Sequence, residues 1–375
     1  MLYRTGNVRP AGDTVEVNTP VDASQGEAID CSSKFVSFPE QTEAPASAEL
    51  IPPADKTFYV AADGTGDYYS VQSAVDRVPA EGGLVLVAPG TYRERVLVKQ
   101  SHITIASANK DASKTRIVFD LSAGTQRDAH SPTPGMATVT VTGDDFTAQN
   151  ITFENDFNRT HEQVSQGSQA QALNLGGDRN ALHNVRILGN QDTLYIGAKG
   201  CGQSSGPTCT PTRTYFDHCF VSGNVDFIYG DGIAYFEGCE IRNTTHAAGG
   251  YLTAQGKHYA DQDSVFVFNH CKLTVDEGVG PVFLGRPWRP LASVVFMNTE
   301  MGAHIDPAGW REWHPGETKS LETAFYAEYH STGPGGNSSK REPFGKQLTD
   351  AEAAKFSAAS VLSGSDGWNP LAQKP

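Results

Sequence analysis

A short apolar segment recurs through the middle of this chain, and the recurrence restricts the fold more than any other feature. Aligned, the copies are Phe146-Thr-Ala-Gln-Asn150-Ile-Thr-Phe, Leu182-His-Asn184-Val-Arg-Ile, Phe216-Asp-His-Cys219-Phe-Val, Phe236-Glu-Gly-Cys239-Glu-Ile, Phe268-Asn-His-Cys271-Lys-Leu and Phe296-Met-Asn-Thr299-Glu-Met. In the last four, the Phe stands three residues before the Cys or Thr. Steps of roughly 20 to 35 residues belong to a solenoid, in which no coil can bury its own apolar face and each stacks on the next. Short strands, irregular connections on one side and like residues in interior ladders point to an all-β chain wound as a right-handed parallel β-helix. Cys219, Cys239 and Cys271 then share one ladder as small buried hydrophobes rather than as ligands or nucleophiles.

Composition agrees. Only 19% of the 375 residues are charged, Gly (38) and Pro (21) are plentiful, and the apolar residues lean toward Val, Ile, Phe and Tyr, as in turn-rich β proteins. A formal charge of −14 excludes a nucleic-acid binder, which needs clustered Lys and Arg to neutralise phosphates. No run of about 18 apolar residues exists, so no membrane partner is expected. The opening residues Met-Leu-Tyr-Arg-Thr-Gly also lack the apolar stretch of a signal peptide, so export requires a leader ahead of them. Residues 1–56, rich in Pro, Ala, Glu, Thr and Ser, are expected to form an extension or linker, with a single β-helix domain over 57–370.

Local signals refine this picture. Cys201 and Cys209 bracket a Gly, Ser and Pro insertion and predict a disulfide clip made in an oxidising compartment. Neither Cys-x-x-Cys nor Cys/His spacing suited to zinc is present, so no metal is assigned. Gly202-Gln-Ser204-Ser-Gly206 matches a serine-nucleophile pattern, but no strand precedes it and no helix follows, so the match is treated as accidental. Two helical patterns are placed as caps of the solenoid. One starts at Ser70 with Val71, Ala74, Val75 and Val78 on one face and stops at Pro79; the other starts at Thr349-Asp-Ala-Glu352, a capping-box spacing, and continues through Ala353, Phe356 and Ala359.

Two aspartates stand in distinctive surroundings, Asp192 in Gln-Asp-Thr-Leu-Tyr (191–195) and Asp226 in Asp-Phe-Ile-Tyr-Gly (226–230), followed by Gly-Arg-Pro-Trp (285–288). Cleaving a carboxylic ester needs a nucleophile, a proton donor for the leaving alcohol and donors for the oxyanion. A carboxylate nucleophile must stay charged, for which Arg286 is the natural partner; a second carboxyl beside that anion is pushed toward its protonated form. Gln171 and Gln191 are uncharged donors suited to the oxyanion. Asp192 and Asp226 lie about one coil apart, so adjacent coils can present them on one face.

These motifs, with Gly64-Thr-Gly-Asp-Tyr-Tyr-Ser-Val-Gln-Ser-Ala-Val-Asp, Gly90-Thr-Tyr-Arg-Glu-Arg-Val, Thr253-Ala-Gln-Gly, Gly309-Trp-Arg-Glu-Trp and the Leu348–Phe356 segment, give the chain a resemblance to the pectin methylesterases over most of residues 57 to 370. The resemblance implies a right-handed parallel β-helix, hydrolysis of galacturonate methyl esters in methylated homogalacturonan, no cofactor, a monomer, and a secreted location in the cell wall, the extracellular space or a bacterial periplasm. It implies Asp226 as nucleophile, Asp192 as acid then base, Gln171 and Gln191 as anion-hole donors, Arg286 as the residue orienting Asp226, and Trp288 with Tyr229 in the sugar cleft. Tyr229 stands where the family usually has Phe, Asp231-Gly232 replaces Asn-Ala, and Lys257 replaces Arg. The stretch from about 198 to 213 resembles an insertion near the cleft. Packing is expected of Trp313, with Trp310 left open between packing and the cleft. The alternatives are a non-catalytic or altered-specificity polysaccharide-binding β-helix, or a pectate lyase-like enzyme.

Overall fold

A computed structural model describes residues 56–125, 135–161, 167–201, 209–244, 249–314 and 316–372. The extension expected before residue 56 and the Gly202–Gly206 match lie outside the described residues. The chain winds as a right-handed parallel β-helix whose walls are parallel sheets of 11, 8 and 7 strands. Each central coil gives one strand to each wall. Asn180–His183, Arg186–Leu188 and Leu194–Ile196 form one coil, and Arg213–Asp217, Phe220–Gly223 and Val225–Gly230 form the next, in register with it.

The interior is built by stacking like on like. Phe216, Phe236, Phe268 and Phe296 pair in succession along the 11-stranded sheet, with ring centroids 4.3, 4.5 and 4.6 Å apart and planes within 11°. That spacing follows the distance between hydrogen-bonded strands, so each ring covers the next. Burying such a side chain is worth ~1.5–3 kcal/mol. The stack continues through Trp310 to Tyr326, whose rings lie 4.1 Å apart.

Cys219, Cys239 and Cys271 are buried, unpaired thiols in one ladder; the Cys219 N–H donates to Cys239 Sγ at 3.3 Å. The alignment of the earlier repeats needs correcting by one residue. Pairs on either side of the turn, Leu182 with Phe216 and Arg186 with Phe220, put Val185 rather than Asn184 level with Cys219, and Ile151 rather than Asn150 one coil earlier. Asn150 and Asn184 belong to a neighbouring ladder with His218, Gly238, His270 and Asn298, all at φ between 48° and 61°. Asn, His and Gly tolerate this left-handed conformation, which turns the chain from the first wall into the second.

Ser70 caps the helix Val71–Val75, and Val71, Ala74 and Val75 join the main core. The capping box of Thr349 and Glu352 is present on Asp350–Ala353, but the expected continuous helix is not. Ser357 turns to ψ 153° and caps a separate helix, Ala358–Leu362, so Ala358 and Leu362 are buried where Ala359 was expected. These helices pack with Tyr215, Tyr235 and Val267 against the 11-stranded sheet instead of closing its end. Leu321, from helix Lys319–Thr323, joins the main core near the last coils.

Candidate active site

The seven-stranded sheet carries the site. Leu173, Leu194 and Ile228 pair across three consecutive coils, and Gln171, Asp192 and Asp226 each lie two residues before one of them. A regular pleat turns residues two apart to the same side, which here is the packed interior. Left-handed backbone at Asp192 (φ 62°) and Asp226 (φ 50°) breaks that alternation. Thr193 and Leu194, like Phe227 and Ile228, are therefore buried side by side, and the acids are released from the interior. At Asp226 the register to the next strand also slips, so Asp226 and Phe227 together oppose Leu252, a bulge of the kind that re-aims a side chain. Gly230 ends the motif at φ 127°, and a Cβ there would lie 2.1 Å from the Ile196 carbonyl oxygen.

Arg286 meets Asp226 through two parallel hydrogen bonds, Nε to Oδ1 at 2.8 Å and Nη2 to Oδ2 at 2.5 Å. Its guanidinium carbon lies 4.1 Å from the ring centres of both Tyr251 and Trp313, so two aromatic rings pack against the fork. Trp313 is positioned by Glu312, which accepts its backbone N–H at 2.8 Å and those of Ser320 and Leu321 at 3.0 Å. The two tryptophans thus part ways. Trp313 touches the site, whereas Trp310 is 1% exposed and belongs to the core. Sequence reasoning missed Tyr251 and placed Trp313 in packing, because aromatic residues next to a cation look the same in sequence as aromatic residues in a core.

Gln171 is fixed at both ends of its amide. Asn174 Nδ2 donates to its Oε1 at 3.2 Å, and its Nε2 donates to the Tyr229 hydroxyl at 2.5 Å. Ser168 donates to Gln191 Oε1 at 2.8 Å, so the amino end of Gln191 is the end that can meet an acceptor. Tyr229 packs edge-on against Trp288, centroids 5.8 Å apart. All seven residues singled out from the sequence therefore lie on, or within three residues of, strands of the seven-stranded wall. Of the departures from the family pattern, Asp231 accepts the Ala198 N–H at 2.8 Å and faces His258 Nε2 at 3.0 Å. It fastens the root of the insertion, which Cys201 and Cys209 close as a disulfide with Cα atoms 4.7 Å apart.

The two acids are electrostatically unequal. Burial pushes Asp192 up to about 8, the charge of Asp226 adds to the rise, and Arg286 and the Tyr229 hydroxyl oppose it. Burial raises Asp226 as well, but there the two hydrogen bonds and the positive charge of Arg286 pull directly against it. Both acids are raised, but Arg286 supports the charged form of Asp226 directly, and Asp192 is the one that favours its proton near neutral pH.

A parallel β-helix with a pair of unequal acids on one wall, set among aromatic rings, is the class that fold and geometry define. Within it, the chain belongs to the pectinesterase family, whose model matches residues 57–365. It is 35% identical over 307 residues to Pectinesterase 31 of Arabidopsis thaliana, a match covering 79% of this chain and 89% of that protein. Among solved structures, a pectin methylesterase from carrot superposes with a TM-score of 0.71 at 28% identity, over 85% of this chain and 96% of that one. A pectin methylesterase in complex with hexasaccharide VII gives 0.67 at 26% identity, over 84% and 98%.

Proposed function

We propose that the protein hydrolyses the methyl esters of galacturonate units in pectin, releasing methanol and leaving demethylated pectin, with Asp226 and Asp192 as its working acids. The observation that carries this is a carboxylate, Asp226, gripped by both prongs of Arg286, with a second carboxyl, Asp192, at the equivalent position of the preceding coil. Asp226 attacks the ester carbonyl carbon, and the oxygen that becomes negative meets the amide N–H groups of Gln171 and Gln191. One such donor is typically worth ~3 kcal/mol in the transition state. As the carbon–oxygen bond to the methoxy group breaks, Asp192 gives that oxygen its proton and methanol leaves. Asp192, now a carboxylate, takes a proton from water; the water oxygen attacks the acyl carbon and Asp226 is freed.

Arg286 keeps Asp226 charged and aimed, and Tyr251 and Trp313 pack against Arg286. Trp288 and Tyr229 give the sugar an apolar wall, a use consistent with the hexasaccharide held by a solved relative. In this proposal one catalytic domain spans 57–370, the protein acts as a monomer without a cofactor, and the disulfide suits a secreted setting.

The test is product analysis on methylated polygalacturonate, with methanol and the unsaturated sugar absorbance followed together. Methanol with no rise in that absorbance is expected. Unsaturated product without methanol makes the protein a lyase, and binding without either makes it a recognition module.

A further inference from the structure

The outer face of the seven-stranded wall does not end at the acids. Beyond Asp226 the next two coils present Tyr251 and Phe283, paired in register, with ring centroids 5.5 Å apart and planes 21° from parallel. The wall then continues into residues 310–313, where Gly285 bridges Trp310 and the Arg311 N–H donates to the Gly285 carbonyl at 3.1 Å. Side chains alternate along this segment, as in a strand. Trp310 and Glu312 are buried, whereas Arg311 is exposed and Trp313 half-buried. Trp313 packs on Arg286, and Arg311 packs on Phe283, its guanidinium carbon 5.2 Å from the ring centre.

The arginines of this region differ in what they hold. Arg286 holds Asp226 and Arg341 holds Glu328. Among the described residues Arg311 holds no carboxylate, and its contact is the face of Phe283. A guanidinium laid on an aromatic ring keeps its N–H edge free for an anion. The chain carries a formal charge of −14, so a polyanion is repelled by the molecule as a whole and attracted only at local cations.

We propose that Phe283 and Arg311 form a subsite, two coils past Asp226, for a galacturonate whose methyl ester has already been removed, its ring on Phe283 and its carboxylate on Arg311. The inference rests on the demethylation reading above and adds a substrate preference to it. Neighbouring coils stand about 4.8 Å apart, so Phe283 lies about 10 Å along the axis from the coil of Asp226. That is too far to touch the reacting ester and suits a later unit of the same sugar chain. A free carboxylate gives the fork two charged acceptors, whereas a methyl ester gives one neutral carbonyl oxygen. Because Arg311 is exposed, the preference is modest, about two- to fivefold.

The experiment compares wild-type protein with Arg311→Gln in two measurements. The first is the ratio of kcat/KM for methanol release on partly demethylated pectin to that on fully methylated pectin. The second is calorimetric titration with unmethylated oligogalacturonate, which binds without reacting. In Arg311→Gln the ratio is expected to fall about two- to fivefold, and the dissociation constant of the oligogalacturonate to rise by a similar factor. An unchanged ratio, with both substrates slowed alike, overturns the subsite. So does an unchanged dissociation constant, or no binding by the wild-type protein. Absence of methanol from the wild-type protein on either pectin overturns the demethylation reading instead, and the titration separates that failure from failure of the subsite.

Discussion

The Phe216–Phe236–Phe268–Phe296 stack and the Gln171–Asp192–Asp226 strip are built by the same coils yet obey opposite rules. In the stack every rung repeats the residue below it, the pleat is unbroken, and identical rings share a spacing set by the backbone. In the strip the rungs are a glutamine and two aspartates, and at both acids a left-handed residue interrupts the pleat. Repetition provides stability because each coil offers the next the surface it needs. Departure from repetition provides a site, because only an interruption lets a charged side chain leave a wall whose neighbours point inward.

Three changes would break or sharpen this contrast. The largest effect is expected from Asp226→Ala, which should cut methanol release by at least about 10³-fold with an unchanged far-ultraviolet dichroism spectrum. Turnover near the wild-type rate would remove Asp226 from the chemistry. Phe268→Ala attacks the other region. Losing a ring stacked on both faces should cost ~3–5 kcal/mol in urea unfolding, while kcat measured well below the transition stays near wild type. A comparable fall in kcat would mean that stack and strip are not separable.

The third effect is a pH dependence of stability, small within any one pH unit. The folded Asp192 titrates near 8, above its ordinary 3.8, so between these values the native state holds a proton that the unfolded chain has lost. Stability from this group is therefore full below about pH 4, declines as pH rises and levels off above about pH 8, with a slope of at most about 1.4 kcal/mol per pH unit. Asp192→Asn removes that slope, so its stability advantage over wild type should widen across the same window in thermal unfolding. A constant difference from pH 4 to 8 would show that Asp192 is not raised.

How much of this was legible in the sequence differs between the same two regions. The stack was legible because repetition leaves a visible trace: Phe at fixed spacing before Cys or Thr predicts ladder, wall and solenoid together. Its register was not legible where the trace fades. Asn150 and Asn184 look like counterparts of Cys219, but they occupy the left-handed turn one residue earlier, and polar turn residues and small core residues occupy neighbouring positions in every coil. The C-terminal segment misled for a related reason. Its helical period is real, yet Ser357 breaks it, and the outer face of the 11-stranded sheet supplied an apolar surface whose place in space no local pattern announces. The acids, the amides and Arg286 were legible only as motifs resembling a family. Tyr251 and the placement of Trp313 beside Arg286 were not legible at all.

The sequence by itself determined the coil and its contents, since apolar periodicity, turn residues and stacking ladders act over a few residues or between consecutive repeats. It also fixed which side chains are chemically able to attack, donate and hold charge. Only the tertiary structure decided their ionisation and aim. Burial, the charge of one acid on the other and the two-pronged Arg286 contact all arise between residues on different coils. Their strengths depend on distance and on the exclusion of water, neither of which exists until the coils have stacked.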